Sequence, residues 1–188
     1  MTTTPRLTLV NGTFELLDAA IEGDAHLGRL LGATVAEGWA GFPESLPGLR
    51  RSYRRGVPGS VWGTVFIVLD QPRTLVGMGG YKGGPSADGV VEIGYAIAPA
   101  FRGRGFATSA VRQLIDRAFA DPSIRAVDAQ TLAHPNPSTR VLEKAGLQRI
   151  GEHEDPEDGA IWHWRLRRPE EPEGEPLAKH DSPVPWCK

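Results

Sequence analysis

Apolar residues along this chain change period several times, and each change predicts an element. Arg6–Val10 and Thr13–Leu17 are short strand-like runs separated by Asn11-Gly12, a dipeptide favoured in two-residue hairpin turns. Beyond Asp24, a residue suited to capping a helix, Leu27, Leu30 and Leu31 fall on one helical face. Gly38–Gly59 is rich in Gly, Pro and Arg around a short helical stretch, Leu46–Arg55, and reads as a flexible segment on the substrate side. Three strands follow, over Val61–Leu69, Thr74–Tyr81 and Val90–Ala98. Turns at Asp70-Gln71-Pro72, Gly83-Gly84-Pro85 and Asp88-Gly89 separate them, which predicts an antiparallel meander.

Gly105–Ala120 then reads as an amphipathic helix. Phe106, Ala110, Leu114 and Ala118 share a broad face with Ala107, Val111, Ile115 and Phe119, opposite Arg112, Gln113, Asp116 and Arg117. Asp121-Pro122 stops it. Ile124–Leu132 is a further strand, Ser138–Ala145 a helix, and Gly146 that helix's C-terminal stop. Leu147–Gly151 and Ala160–Leu166 form two closing strands around an acidic loop, Glu152–Gly159. Residues 1–168 therefore make one domain, and Pro169–Lys188, rich in Pro and Glu without apolar periodicity, a flexible tail.

Composition narrows the function classes. With 188 residues the chain suits one well-buried domain, and 40% hydrophobic with 23% charged residues is ordinary globular usage. A formal charge of -2 gives no support to nucleic acid as the main partner. Cys187 is the only cysteine and lies in the tail, so an internal disulfide is excluded, and a thiol nucleophile or cysteine metal site is disfavoured. The N-terminus has no apolar signal core and no stretch approaches a membrane span, which makes a reducing cytoplasm the default compartment.

The strongest local chemistry is the turn Arg102-Gly103-Arg104-Gly105-Phe106-Ala107, which follows a strand and opens a helix. A helix N-terminus presents unpaired amides and a positive dipole end, so it suits a phosphate group. Glycines let those amides approach a ligand, and Arg102 and Arg104 bring guanidinium groups to the same point. The alternative, a tight turn with solvated arginines, fits an isolated motif better than one in this strand-to-helix context. Neither a P-loop nor a dinucleotide-binding glycine pattern is present.

With Glu92-Ile93-Gly94-Tyr95-Ala96-Ile97 before it and Ser138–Leu147 after it, this turn resembles the GNAT acetyltransferase superfamily. Arg102–Ala107 is similar to its Arg/Gln-x-x-Gly-x-Gly/Ala pyrophosphate loop. Ser138–Leu147 is similar to the late helix of the branch that includes ribosomal-protein alanine acetyltransferases. The resemblance covers about residues 60–168. It implies an α/β (α+β) fold with a mixed, mostly antiparallel sheet of about six to seven strands flanked by about four helices. It also implies acetyl-CoA as cosubstrate, no metal, an amine-bearing acceptor, and an oligomeric state open to a homodimer. Contacts to acetyl-CoA would come from Ile97, Ala98, Arg102, Gly103, Arg104, Gly105, Phe106, Ala107, Thr108 and Asn136. Two departures stand out: the family's usual asparagine position holds Pro135, with Asn136 next to it, and no tyrosine lies between Ser138 and Gly146.

Acetyl transfer to an amine needs the ammonium to lose a proton, the thioester carbonyl to be polarised, and the thiolate to gain a proton. Direct attack in a ternary complex on a primary amine of a small molecule or peptide N-terminus requires no protein nucleophile. Glu92, in an otherwise apolar strand, is either the base at a cleft or a carboxylate held by structural partners. Ser138 is either the thiolate's proton donor or a helix N-cap. Asn136 bonds the pantetheine arm or shapes a turn between prolines, and Tyr95 lines the cleft or packs in the core. His134 reads as an exposed loop residue with a proton relay as the lesser alternative, and His153 and His163 lack metal-ligand spacing. Trp39, Phe42 and Trp62 line an apolar acceptor pocket or are core. A non-catalytic acyl-CoA-binding or regulatory module, suggested by the missing tyrosine, is the competing reading. RNA binding through the arginine turn is a weaker one, opposed by net acidity.

Overall fold

The computed structural model describes residues 6–55 and 62–169. The tail beyond Pro169 and residues 56–61, where parts of the expected flexible segment and the first residue of the expected strand at Val61 fall, lie outside the described residues.

Seven strands run in the order β1 (Leu7–Asn11), β3 (Thr64–Asp70), β4 (Arg73–Tyr81), β5 (Val90–Ile97), β6 (Ala126–Leu132), β8 (Gly159–Arg167) and β7 (Gln148–Asp155). The two-residue β2 (Thr34–Val35) adds an eighth strand, parallel to β4. The predicted meander is there: β3–β4 and β4–β5 are antiparallel. The one long parallel contact is β5 with β6, connected through α4 (Phe106–Phe119), as a parallel pair requires. Besides α4 there are α1 (Phe14–Glu22), α2 (Asp24–Leu31), α3 (Leu46–Arg55) and α5 (Pro137–Ala145), five helices among the described residues.

Each face of the sheet carries its own core, because neighbouring strand residues point to opposite faces. Val65, Ile67, Val91, Ile93 and Ile97 pack with Ala110, Val111, Leu114 and Ile115 of α4. Phe66, Val68, Leu75 and Met78 pack on the other face with Leu17, Leu27, Trp39 and Leu46 from the α1–α3 side. β3 is covered on both faces, which is why it reads as an unbroken apolar run. The buried face of α4 is the one its periodicity predicts, with Ala107 and Phe119 at its half-buried margin.

Four expectations change. No hairpin follows Asn11-Gly12: Thr13 caps α1, its hydroxyl accepting the Leu16 amide at 3.1 Å, and Leu17 faces the core from a helix. A favourable cap and an apolar helical stripe over Leu17, Ala19 and Ala20 outweigh the hairpin signal. Asp24 does not cap α2 but is its first residue, after Gly23; its carboxylate instead accepts the Trp39 indole N–H at 2.9 Å. Leu27 and Leu31 are buried while Leu30 is exposed. Finally, Glu152, Glu154 and Asp155 belong to β7 and only residues 156–158 turn, with Asp155 accepting the Glu157 and Asp158 amides. Those bonds hold the Asp155 carboxyl below its ordinary pKa.

Candidate active site

The site begins where two strands part. β5 and β6 are Cα partners only at Val90–Ala126, Val91–Val127 and Glu92–Asp128. Beyond that point β6 stays paired with β8 through Leu132, and β5 stays with β4 through Ile97, so a wedge opens between them. The Lys82 amide donates to the Glu92 carbonyl and the Ala98 amide to the Val76 carbonyl, both at 2.8 Å. Even-numbered residues of this stretch thus turn their backbone groups to β4, and Tyr95 and Ile97 turn theirs to the wedge. An extended amide-bearing chain could pair there as a strand would.

At the wide end of the wedge lies the glycine-arginine turn. Gly103 and Gly105 have φ of +74° and +83°, and a Cβ added to either would meet nothing within 4 Å. The turn therefore has left-handed backbone, open approach, and the N-terminus of the 14-residue α4, which no side chain caps. Amides of the first turn, at Phe106, Ala107 and Thr108, have no partner inside the helix. Arg102 is not simply solvated: its Nε donates to the Ile97 carbonyl at 2.9 Å, tying the turn to the end of β5. The Arg104 guanidinium sits over the Phe101 ring, 5.5 Å from its centre. The donor set fits a pyrophosphate: amides at a helix end, open glycines and two anchored arginines.

A cavity of about 400 Å³ occupies the narrow part of the wedge and opens toward the α1–α3 side. Tyr95, Ile93, Ala96, Gln130 and Ser138 line it, with Phe42 and Leu49 at its outer wall and Lys82 at one edge. Tyr95 leaves the plain core reading behind: its hydroxyl donates to the Ser138 carbonyl at 3.4 Å, bringing β5 to the first turn of α5. Burial pushes the Tyr95 phenol up to about 12, so it is protonated throughout the neutral range. Glu92 lies on the opposite face of β5 from Tyr95, beside the cavity edge, with its carboxylate 2.6 Å from the Lys82 ammonium. Glu92 is thus held by a partner, and that partner lines the cavity.

Ser138 is not the cap of α5. Asn136 is, its side-chain Oδ1 accepting the Ser138 and Thr139 amides at 2.9 and 3.1 Å, with Thr139 completing a capping box. The Asn136 side-chain amide donates to the His134 carbonyl at 2.9 Å, so both ends of this side chain serve the turn. Ser138 is released from capping and faces the cavity. His134 is exposed. Of the three aromatic candidates, Trp39 is core, Trp62 packs edge-on to Tyr81 at 5.0 Å, and Phe42 lines the cavity.

The sequence reading missed Asp128. This carboxylate is 5% exposed and lies level with Glu92 on the neighbouring strand. It accepts Arg165 Nε and Nη2, each at 2.7 Å, and pairs with His163 Nε2 at 2.8 Å. Its signal was available as an acid in the apolar run Ile124–Leu132, matched by His163 and Arg165 two apart on β8. Among the described residues no group of three or more His, Cys, Asp or Glu could hold a metal ion.

Comparisons with known proteins converge on one family. The family model of the acetyltransferase (GNAT) domain matches residues 17–148. YjdG of Bacillus subtilis strain 168, an N-acetyltransferase by name, is 28% identical over 146 residues, spanning 77% of this chain and 87% of YjdG. Among solved structures, Mycobacterium smegmatis RimJ in complex with CoA-disulfide superposes with a TM-score of 0.60 at 20% identity, covering 86% of this chain and 81% of RimJ. The aminoglycoside acetyltransferase AAC(6')-Ib in complex with coenzyme A gives 0.59 at 21% identity, covering 87% and 95%.

Proposed function

The chain belongs to the GNAT acetyltransferase family and is an acetyl-CoA-dependent N-acyltransferase, and from that premise we propose that it acetylates a primary amine by direct attack in a ternary complex. The observation that carries this is the parting of β5 and β6 beyond Glu92–Asp128, which joins an apolar cavity to the glycine-opened N-terminus of α4.

In this reading the pyrophosphate of acetyl-CoA rests on the amides of Gly103–Thr108 with Arg102 and Arg104 beside it, and the pantetheine arm pairs with the backbone of Tyr95 and Ile97. Asn136 acts indirectly, by fixing the turn that presents Ser138. The acceptor enters from the α1–α3 side. Glu92, directly or through water, takes a proton from the ammonium as the nitrogen bonds the thioester carbonyl carbon. The C–S bond then breaks as the carbonyl re-forms, and the sulfur takes a proton from Tyr95 or Ser138. The second proton shed by the nitrogen returns through water to that hydroxyl, leaving a neutral amide and free thiol. Tyr95 supplies what α5 lacks, a neutral phenol at the start of that helix. Lys82 orients Glu92 through their ion pair.

The test is a CoA-dependent thermal shift followed by free-thiol release from acetyl-CoA across an amine panel. Absence of CoA binding overturns the reading. CoA binding without thiol release on any amine overturns the transfer step.

A further inference from the structure

We propose that the acceptor is a monoamine carried on an apolar, preferably aromatic, body, and that polycationic amines are selected against. This rests on the acetyl-transfer reading above and adds the acceptor's chemical class.

The first argument is the wall that meets the acceptor. Phe42 lines the cavity yet is 66% exposed, a large apolar ring held at the mouth rather than in a core. The chain leading into it is anchored at two points. Trp39 is buried, its indole N–H donating to Asp24 at 2.9 Å and its ring tilted against Phe66 with centroids 5.7 Å apart. Gly41, at φ +69°, lies so close to β5 that a Cβ there would collide with the Ala96 Cβ. Phe42 is therefore presented by a fixed backbone, with Leu49 of α3 on the same wall. A fixed aromatic at a cavity mouth offers stacking area at little entropic cost.

The second argument is charge. Among the described lining residues Lys82 is the one charged side chain, and it is positive. Its nearest counter-charge, Glu92, is already engaged at 2.6 Å. Asp128, the adjacent carboxylate, has both oxygens committed to Arg165 and His163. A monoamine loses its one positive charge as it reacts. A second ammonium on the same acceptor would enter an apolar cavity beside Lys82 with no acidic side chain among the described lining residues to receive it, and partly buried charge is tolerated only when paired. The volume, about 400 Å³, fits a small molecule and limits bulky acceptors.

The experiment uses the full chain saturated with CoA and measures binding of phenethylamine, spermidine and kanamycin by calorimetry, then thiol release with acetyl-CoA for each. We expect phenethylamine to bind and turn over at least about tenfold better than either polyamine in kcat/KM. Phe42→Ala should raise the phenethylamine KM about tenfold while CoA affinity holds. Ser45→Glu, which adds a carboxylate to the exposed lining, should narrow the phenethylamine-to-spermidine ratio. CoA binding with equal or better use of spermidine or kanamycin overturns this inference alone, as does a Phe42→Ala variant with unchanged KM. Failure to bind CoA overturns the acetyl-transfer reading and this inference with it.

Discussion

Glu92 and Asp128 are the last Cα partners of the parallel pair β5–β6, and each carboxylate is already held by a cation on its outer side, Lys82 at 2.6 Å and Arg165 at 2.7 Å. The two acids differ in what surrounds them. Asp128 is 5% exposed and bidentate with Arg165; Glu92 has 27% of its side chain exposed and one lysine contact. A carboxylate that must accept a proton needs solvent or substrate access, and of the pair Glu92 has it.

The first prediction follows. Glu92→Gln should lower kcat/KM by about 10²- to 10⁴-fold, the span associated with general-base catalysis. Stability should change by no more than about 1 kcal/mol, because the Lys82 end of the pair is solvent-exposed. CoA affinity should hold. Thiol-release kinetics beside urea denaturation separate the two quantities, and equal losses in activity and stability would reduce Glu92 to a structural residue.

The proposed phosphate cradle gives a second. At φ +83°, Gly105→Ala introduces backbone strain of about 1–2 kcal/mol, and Gly105→Asp adds an anion at the helix N-terminus. CoA affinity should fall in the order wild type, Ala, Asp, by at least about tenfold for Asp. Removing both Arg102 and Arg104 should weaken CoA binding and flatten its salt dependence. Arg102 has a double effect, since its loss also frees the Ile97 carbonyl. A calorimetric titration at two salt concentrations checks this.

Much of this molecule could be read in its sequence, and what could not has a common cause. The β3–β5 meander, α3, α4 and α5 follow local periodicity and punctuation, and their bounds move by a few residues at most. Helix α1 was hidden because Thr13–Leu17 is short enough to satisfy strand and helix patterns equally; the Thr13 cap is local, but the packing of Leu17 against Phe66 and the α2–α3 side that fixes the helix is long-range. Similarly, the cavity wall at Phe42 depends on contacts between Gly41 and Ala96 or Trp39 and Asp24, distant in sequence and unmarked by any motif. Tyr95 meeting Ser138 is of the same kind: strand alternation says which face Tyr95 takes, but not that α5 begins there.

Tyr95 supplies the third prediction. Tyr95→Phe should lower kcat by about tenfold or more if the phenol protonates the departing thiolate, with CoA affinity retained. The ring keeps its packing and loses only one 3.4 Å hydrogen bond, so stability at neutral pH should move by about 1 kcal/mol or less. An unchanged kcat would leave Ser138 as the donor.

Alkaline stability is the fourth. Burial raises Tyr81 and Tyr95 from an ordinary 10.0 to about 12. Their folded-state values exceed the unfolded one, so the folded chain binds more protons in this window and stability falls as pH rises. The contribution is complete below pH 10 and is lost between about 10 and 12, at about 2 kcal/mol per tyrosine. Tyr95→Phe should roughly halve the loss. Chemical denaturation at stepped pH reads it directly, and a flat profile through that window would contradict the buried-phenol account.

The last prediction separates Asp128 from its neighbour. Its two oxygens accept three bonds, from Arg165 and His163, while being almost fully buried, so removing the charge leaves the Arg165 guanidinium without its partner in the same place. Asp128→Asn should cost about 3 kcal/mol, the usual penalty for breaking a buried pair from one side. Replacing both partners, Asp128→Asn with Arg165→Met, should recover part of that loss, because no uncompensated charge remains. Urea midpoints for the two single variants and the double variant complete the cycle. Activity per folded molecule should fall far less in Asp128→Asn than in Glu92→Gln, since Asp128 is tied up at the strand junction and Glu92 is the proposed base. If the catalytic loss per folded molecule were instead greater for Asp128→Asn, the roles of the two carboxylates at the β5–β6 junction would have to be exchanged.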